Sequence, residues 1–484
     1  MLPSPALYYT CLAICAAILL FLSFRTDRIL GWIIVFALFV NVTGAVLTGW
    51  WVQRMHGREY SGADEVSYQW DGGRMLTAWR TGDTSYVRST VGIFAPINAV
   101  VIAVAGPGYT QMRVATAIVG AIGVATAFWL AMLLYGSAWT ARLAAALCAT
   151  SPLLILFSWA DLRERWIATA ALLVLIAGVL TIQRPTWRRA LGLVASVWIL
   201  TELRHYWGTI LGYIVIAGSL LIGAPLWQRR IVNTAIVTVA VGLGLWIVTE
   251  TFLGLGIRHE TVRKYVAVPE SEQRLAVGPN GVLDTPLSGA DPAANGAVGG
   301  SGGPAGSGAA TIPPGSRRPG VASVIDGRAP VPYSGLTIGE PRLATRPENV
   351  GELLRNLRFV LFGRVSARAD GGQFASLFLL PEALWSGLLL PLAAAGVFAG
   401  VRRGQLAVLI PAAYVAAIMA LFTWLHGEEW TTYRFRNLYW PMLLILVAGG
   451  ISWGAEWWHA RSGASKSAAL RTDRATSTAG TAHT

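Results

Sequence analysis

Val114-Ala-Thr-Ala-Ile-Val-Gly-Ala-Ile-Gly-Val-Ala-Thr-Ala-Phe-Trp-Leu-Ala-Met-Leu-Leu134 runs without a charged residue or a proline. A helix rises about 1.5 Å per residue, so this stretch is long enough to cross a hydrocarbon core about 30 Å thick. Working outward, the same reading marks Ala6–Phe24, Leu30–Val52, Leu143–Ala160, Trp166–Gln183, His205–Trp227 and Ile231–Thr249. After a long interval come Phe374–Val401, Gln405–Leu425 and Asn437–Ala455. Ala190–Thr201 is shorter, and Arg189 and Arg204 flank it, so it reads as one arm of a tight hairpin. The expectation is an all-α polytopic membrane protein with about 11 transmembrane helices. Ala6–Phe24 has no basic segment ahead of it and another apolar run directly behind, so it is expected to be a retained helix rather than a cleaved leader.

Composition agrees. Of 484 residues, 54% are hydrophobic and 13% charged, about half the charged share of a soluble domain. The 38 basic residues exceed the 25 acidic ones, for a net charge of +13. They cluster at the ends of apolar runs, where headgroups and cytoplasmic loops collect them, and this pattern excludes nucleic acid as a partner. Cys11, Cys15 and Cys148 lie within apolar runs with no disulfide or metal-ligand spacing.

Basic connections set the direction. Arg25 with Arg28, Arg142, Arg184 with Arg188 and Arg189, Arg229 with Arg230, and Arg402 with Arg403 fall on one side if the N-terminus lies outside. The tail with Arg461, Lys466 and Arg471 joins them, and that side is cytoplasmic by the positive-inside rule. The chain divides into an N-terminal transmembrane region (1–255), an extracytoplasmic loop (256–373), C-terminal transmembrane helices (374–456) and a disordered cytoplasmic tail (457–484). Within the loop, residues 278–320 are rich in Gly, Pro, Ser and Ala, too poor in large apolar residues to bury a core, and read as a flexible insertion.

The first outer loop, 53–90, holds five basic and five acidic residues. Ser61-Gly-Ala-Asp-Glu-Val-Ser-Tyr-Gln-Trp-Asp begins a helix near Asp64, in which Asp64, Tyr68 and Asp71 share a face. A carboxylate at the edge of lipid can have its pKa raised toward neutrality, which suits a general base. Ser61 followed by Asp64 also fits a helix-capping box, and local spacing alone favours that capping reading over the base. Residues 91–106, interrupted by Pro96, read as a juxtamembrane helix dipping into the outer leaflet, with Arg88 at its start available to an anionic headgroup or simply snorkelling.

Other charges fall on the same side. Asp161 and Glu164 sit three apart and would face together on a helix, either as site groups or in a local ion-pair cluster with Arg163 and Arg165. Glu202, Arg204 and His205 occupy the next outer turn. Before the last span, Arg434 and Arg436 alternate with Tyr433, Phe435 and Tyr439. Arginines are disfavoured on the outer side, and paired guanidinium forks suit phosphate.

These residues resemble, in order, the polytopic glycosyltransferases of the GT-C fold, and more narrowly glycosyltransferase family 39, the protein mannosyltransferases and aminoarabinose-transferase-like proteins. Asp64-Glu-Val-Ser-Tyr resembles the acidic pair of their first outer loop, and Pro152 with Ser158 and Glu164 a later outer turn. Leu380-Pro-Glu-Ala-Leu-Trp resembles the approach to a late span, and Tyr433-Arg-Phe-Arg with Pro441 the basic-aromatic motif before the final helix. The similarity runs from about Gly62 to Gly450. It implies inverting transfer of a sugar from a polyprenyl-phosphate carrier to an extracytoplasmic acceptor, with membrane lipids as further partners. Asp64 would be the base and Glu65 would orient it, or help hold the acceptor or a divalent metal ion, the one cofactor implied. Arg434 and Arg436, with Arg88, would hold the lipid phosphate, and Tyr68, Asp161, Glu164 and Arg204 would shape the site. The sequence departs from the family in its additional first span, in Arg88 and Pro96 standing where a Lys-Pro-Pro is usual, in Asn437-Leu-Tyr-Trp before Pro441, and in the Gly-rich tract. A lipid-linked polysaccharide polymerase or ligase would rely on the outer arginines without the acidic base. A lipid-linked glycan transporter would place charges along its spans instead.

Overall fold

The computed structural model describes residues 4–56, 63–82, 93–184, 186–204, 349–362, 373–425 and 429–480, with a few positions between 210 and 218. Helices and their connections account for all of them, and no strand occurs among the described residues.

Helix α1 (Pro5–Thr26) opens with Pro5 at its first turn and Ser4 as its cap. Asp27 then breaks the chain and caps α2 (Arg28–His56), accepting the N–H groups of Ile29 and Leu30 at 2.9 Å each. Helix α3 (Ala63–Thr81) lies in the first loop and packs along α4 (Phe94–Ala105). Gly72 permits that approach, because a side chain there would collide with Asn98. Helix α5 (Tyr109–Tyr135) ends on Gly136 in the left-handed region, φ 64°, a backbone geometry that favours glycine.

The run 143–160 differs from the expected single span. It forms α6 (Ala138–Thr150) and α7 (Pro152–Ser158), bent by 58° at Ser151. Pro152 cannot donate into the helical ladder, and the Ser151 hydroxyl caps the restart by accepting from Leu154 N. Helices α8 (Arg163–Gln183) and α9 (Trp187–Leu203) make the expected hairpin. The C-terminal part contains α10 (Val350–Phe362), α11 (Gln373–Arg402), a 3-10 turn (Leu406–Val408), α12 (Leu409–Leu425) and α13 (Glu429–Gly480). Helix α13 continues through the stretch read as a disordered tail; Ala, Arg and Lys, frequent there, are good helix formers.

Six helices among the described residues are long and apolar enough to span a membrane, or seven if the bent pair α6–α7 is one span. The protein is therefore polytopic. The expected spans His205–Trp227 and Ile231–Thr249, and the 278–320 tract, lie outside the described residues, apart from the few positions near 210–218. The outward faces suit lipid: Phe39 is 68% and Trp32 66% exposed, a surface that would drive association in water.

The basic connections meet at one end. Arg142, in α6, pairs with Asp27 between α1 and α2 at 2.7 Å, and Arg403, after α11, pairs with Glu456 of α13. At that same end Thr140 bonds Ser452 at 2.9 Å.

Helices α11 and α13 approach closely. A side chain on Gly450 would run into the Leu392 carbonyl, and one on Gly396 into that of Leu446. Gly450→Val is expected to force these helices apart and cost about 1–3 kcal/mol, read as a lower unfolding temperature in detergent. An unchanged midpoint would mean the contact carries no stability.

Candidate active site

Beyond the other end of the bundle, Glu65 is held in the first turn of α3. Its side chain is 1% exposed and meets Arg113 of α5, itself wholly buried. The guanidinium donates twice, Nη2 to Oε2 at 2.7 Å and Nε to Oε1 at 3.1 Å. Glu65 Oε1 also accepts the backbone N–H of Asp161 at 2.9 Å. Two acidic segments nearly a hundred residues apart are thereby joined.

Asp161 occupies the turn between α7 and α8 and is fully buried. Burial, and then the neighbouring charge of Glu65, push its carboxyl well above the usual range, while Arg113 and Gln69 oppose the shift. Gln69 Nε2 is already engaged by Asn98 Oδ1 at 3.4 Å and Gly108 O at 3.3 Å. Neither Asp161 carboxylate oxygen has a well-formed hydrogen bond, although the Gln69 amide lies close enough to favour its ionised form.

Glu164, in the first turn of α8, pairs with Arg204 at the end of α9 at 3.2 Å. The expectation that Asp161 and Glu164 share a helical face is corrected: α8 begins at Arg163, which leaves Asp161 off the helix and free to face α3. The alternative local cluster is not formed either. Arg165 is buried and donates to Gly120 O at 2.8 Å, and Arg163 lies 5.8 Å from the Tyr68 ring.

Aromatic packing fixes the loop to the bundle. Tyr68 meets Phe94 edge-on at 5.0 Å, and Phe94 meets Trp166 at 5.9 Å. Trp166 Nε1 in turn donates to Thr116 Oγ1 at 3.0 Å. Ile93 N donates to Glu202 O at 3.1 Å, tying the α3–α4 loop to the α8–α9 hairpin. The additional first span takes part as well, with Tyr8 of α1 donating to Gln111 O at 2.8 Å.

Of the residues expected at the site, Glu65, Tyr68, Asp161, Glu164 and Arg204 are thus gathered around α3, α5 and α8. Arg436 is buried on α13, its guanidinium 4.3 Å from the Trp440 ring centroid. Asp64 and Arg434 lie on α3 and α13, their side chains outside the described set, as are Arg88 and Ser61 altogether. Arg113 was missed: it directly precedes the apolar run 114–134 and reads in sequence as an ordinary flanking charge. Among the described residues no group of three or more His, Cys, Asp or Glu stands close enough to hold a metal ion.

Fold and site define an all-α polytopic membrane protein with a buried acid–arginine cluster at one end of its bundle. No family model and no curated protein matches the chain. Among solved structures it is similar to ArnT from Cupriavidus metallidurans bound to undecaprenyl phosphate. That likeness has 15% identity and a TM-score of 0.47, over 87% of this chain and 60% of that one. It is also similar to the Archaeoglobus fulgidus oligosaccharyltransferase in the apo form, with 14% identity and a TM-score of 0.47, over 90% of this chain and 51% of that one. The chain thus spans about three fifths and one half of their lengths. Likeness of this degree assigns no residue a role.

Proposed function

We propose that this protein is a membrane glycosyltransferase of the GT-C, family 39-like kind. It transfers a sugar from a polyprenyl-phosphate carrier to an acceptor on the extracytoplasmic face, with inversion. The observation that carries the reading is the bond from Asp161 N to Glu65, which unites the first-loop acids with the α7–α8 turn. The ion pairs Arg142–Asp27 and Arg403–Glu456 gather basic connections at the opposite end, which the positive-inside rule makes cytoplasmic.

In this reading the acceptor oxygen attacks the anomeric carbon from the face opposite the phosphate. Its proton passes to the Asp64 carboxylate, and the bond from anomeric carbon to phosphate oxygen breaks with its electron pair leaving on the phosphate. Arg434 and Arg436 receive the charge that develops there, and positive groups placed in advance lower the barrier. Arg88 adds to that field. Glu65, with both oxygens engaged, orients the site rather than accepting a proton. Tyr68, Glu164 and Arg204 hold its walls in place.

Asp161, buried beside Glu65, sets the charge of the site; the described residues offer no group of three carboxylate, His or Cys ligands for a divalent cation, and the transfer step above uses none.

The test is transfer from labelled polyprenyl-phosphate sugar in membranes. Asp64→Asn is expected to lower turnover by about 10²–10⁴ while the protein remains folded. Wild-type turnover by that variant would remove Asp64 as base. If wild-type protein releases no sugar from any such donor, the transferase reading fails, and transport of the labelled lipid across vesicles becomes the next measurement.

A further inference from the structure

Asn437 is 0% exposed, yet neither its Nδ2 nor its Oδ1 has a hydrogen-bond partner. Native proteins leave few buried polar groups in that condition, because each forfeits its hydration without replacement. Four residues on, Pro441 interrupts α13. Proline has no N–H, so the helical ladder offers no donor to the Asn437 carbonyl either. One turn along, the buried Trp440 indole Nε1 also lacks an acceptor, and its ring lies 4.3 Å from the Arg436 guanidinium.

Positions 436, 437 and 440 fall within about 100° of helical arc. The strip combines a cation with amide and indole N–H donors, plus an amide and a main-chain oxygen as acceptors, and holds no carboxylate. A phosphate ester joined to a polyhydroxylated ring is its chemical complement. Phosphate oxygens accept from the guanidinium and the amide, while ring hydroxyls satisfy the indole N–H and the amide oxygen.

We infer that Asn437 and Trp440, beside Arg436, recognise the phosphosugar head of the lipid donor. This rests on the glycosyltransferase reading and adds two contact residues to it. The amide is sealed in, so neighbouring side chains must move for the donor to reach it. The groups left unsatisfied at the strip are repaid when the donor binds.

Full-length protein in nanodiscs, titrated with a long-chain polyprenyl-phosphate hexose and with the bare polyprenyl phosphate, tests this by native mass spectrometry alongside thermal unfolding. Asn437→Leu removes a partnerless amide, so the unfolding temperature is expected to hold or rise while affinity for the sugar-bearing donor falls about tenfold or more. A lower unfolding temperature with unchanged affinity assigns Asn437 to packing and overturns the inference. Asn437→Asp keeps the volume but opposes the phosphate, and should weaken both lipids; wild-type affinity would count against the strip. Trp440→Phe keeps a ring over Arg436 and should weaken the sugar-bearing lipid more than the bare one; no loss, or the same fold loss for both lipids, would remove Trp440 from sugar recognition. If wild-type protein binds neither lipid, the glycosyltransferase reading itself has failed.

Discussion

Arg113→Met is expected to destabilise the protein by about 3–5 kcal/mol and to abolish transfer. Arg113 and Glu65 are 0% and 1% exposed and meet through two hydrogen bonds. Removing the guanidinium strands a carboxylate in a dry site, and that uncompensated charge, more than the lost contact, sets the cost. The double variant Glu65→Gln with Arg113→Met removes both charges, so it should regain most of the stability. It should not regain transfer, because the field that shapes the acid cluster is gone. Thermal unfolding in detergent and donor turnover, measured on all three proteins, separate the two roles. A single variant as stable as wild type would show that the pair contributes nothing to the fold.

Asp161→Asn carries the second large effect, with activity and stability moving apart. If Asp161 works as a carboxylate, turnover should fall by about 10²–10⁴. Stability should hold or improve at neutral pH, since the neutral amide replaces a fully buried carboxylate. The pH dependence follows from the raised carboxyl. Its folded pKa exceeds its unfolded one, so folding favours the protonated form. The stability this supplies is full below the ordinary aspartate value of about 4 and is lost as pH rises through the elevated folded value. Wild-type turnover should climb over that same upper range as the carboxylate forms, and Asp161→Asn should lose both trends. A variant with wild-type turnover and an unchanged pH profile would return Asp161 to a purely structural role.

Much of the bundle was legible from hydropathy because lipid imposes one rule: backbone groups must be satisfied within the segment. The runs 114–134 and 166–183 fall inside α5 and α8 for that reason, and the helix expected near Asp64 begins at Ala63. The break at Ser151 was visible as Pro152, but apolarity continues across it and concealed the bend. The site was legible only in part. Glu65, Tyr68, Asp161, Glu164 and Arg204 stood out as polar groups at membrane edges, whereas their pairing did not, because each partner comes from a different helix.

The amino-acid sequence by itself determined that this is a many-span helical membrane protein, which ends of its spans collect basic residues, and which connecting segments carry acids and arginines. Those properties depend on local composition and on the thickness of a bilayer. Only the tertiary structure decided that Glu65 pairs with Arg113, that Asp161 faces α3 instead of sharing a helix with Glu164, and that Asn437 is sealed without a partner. Such outcomes depend on how α3 seats on α5, where α8 begins and how α13 packs, and the low dielectric of the interior turns those placements into energies.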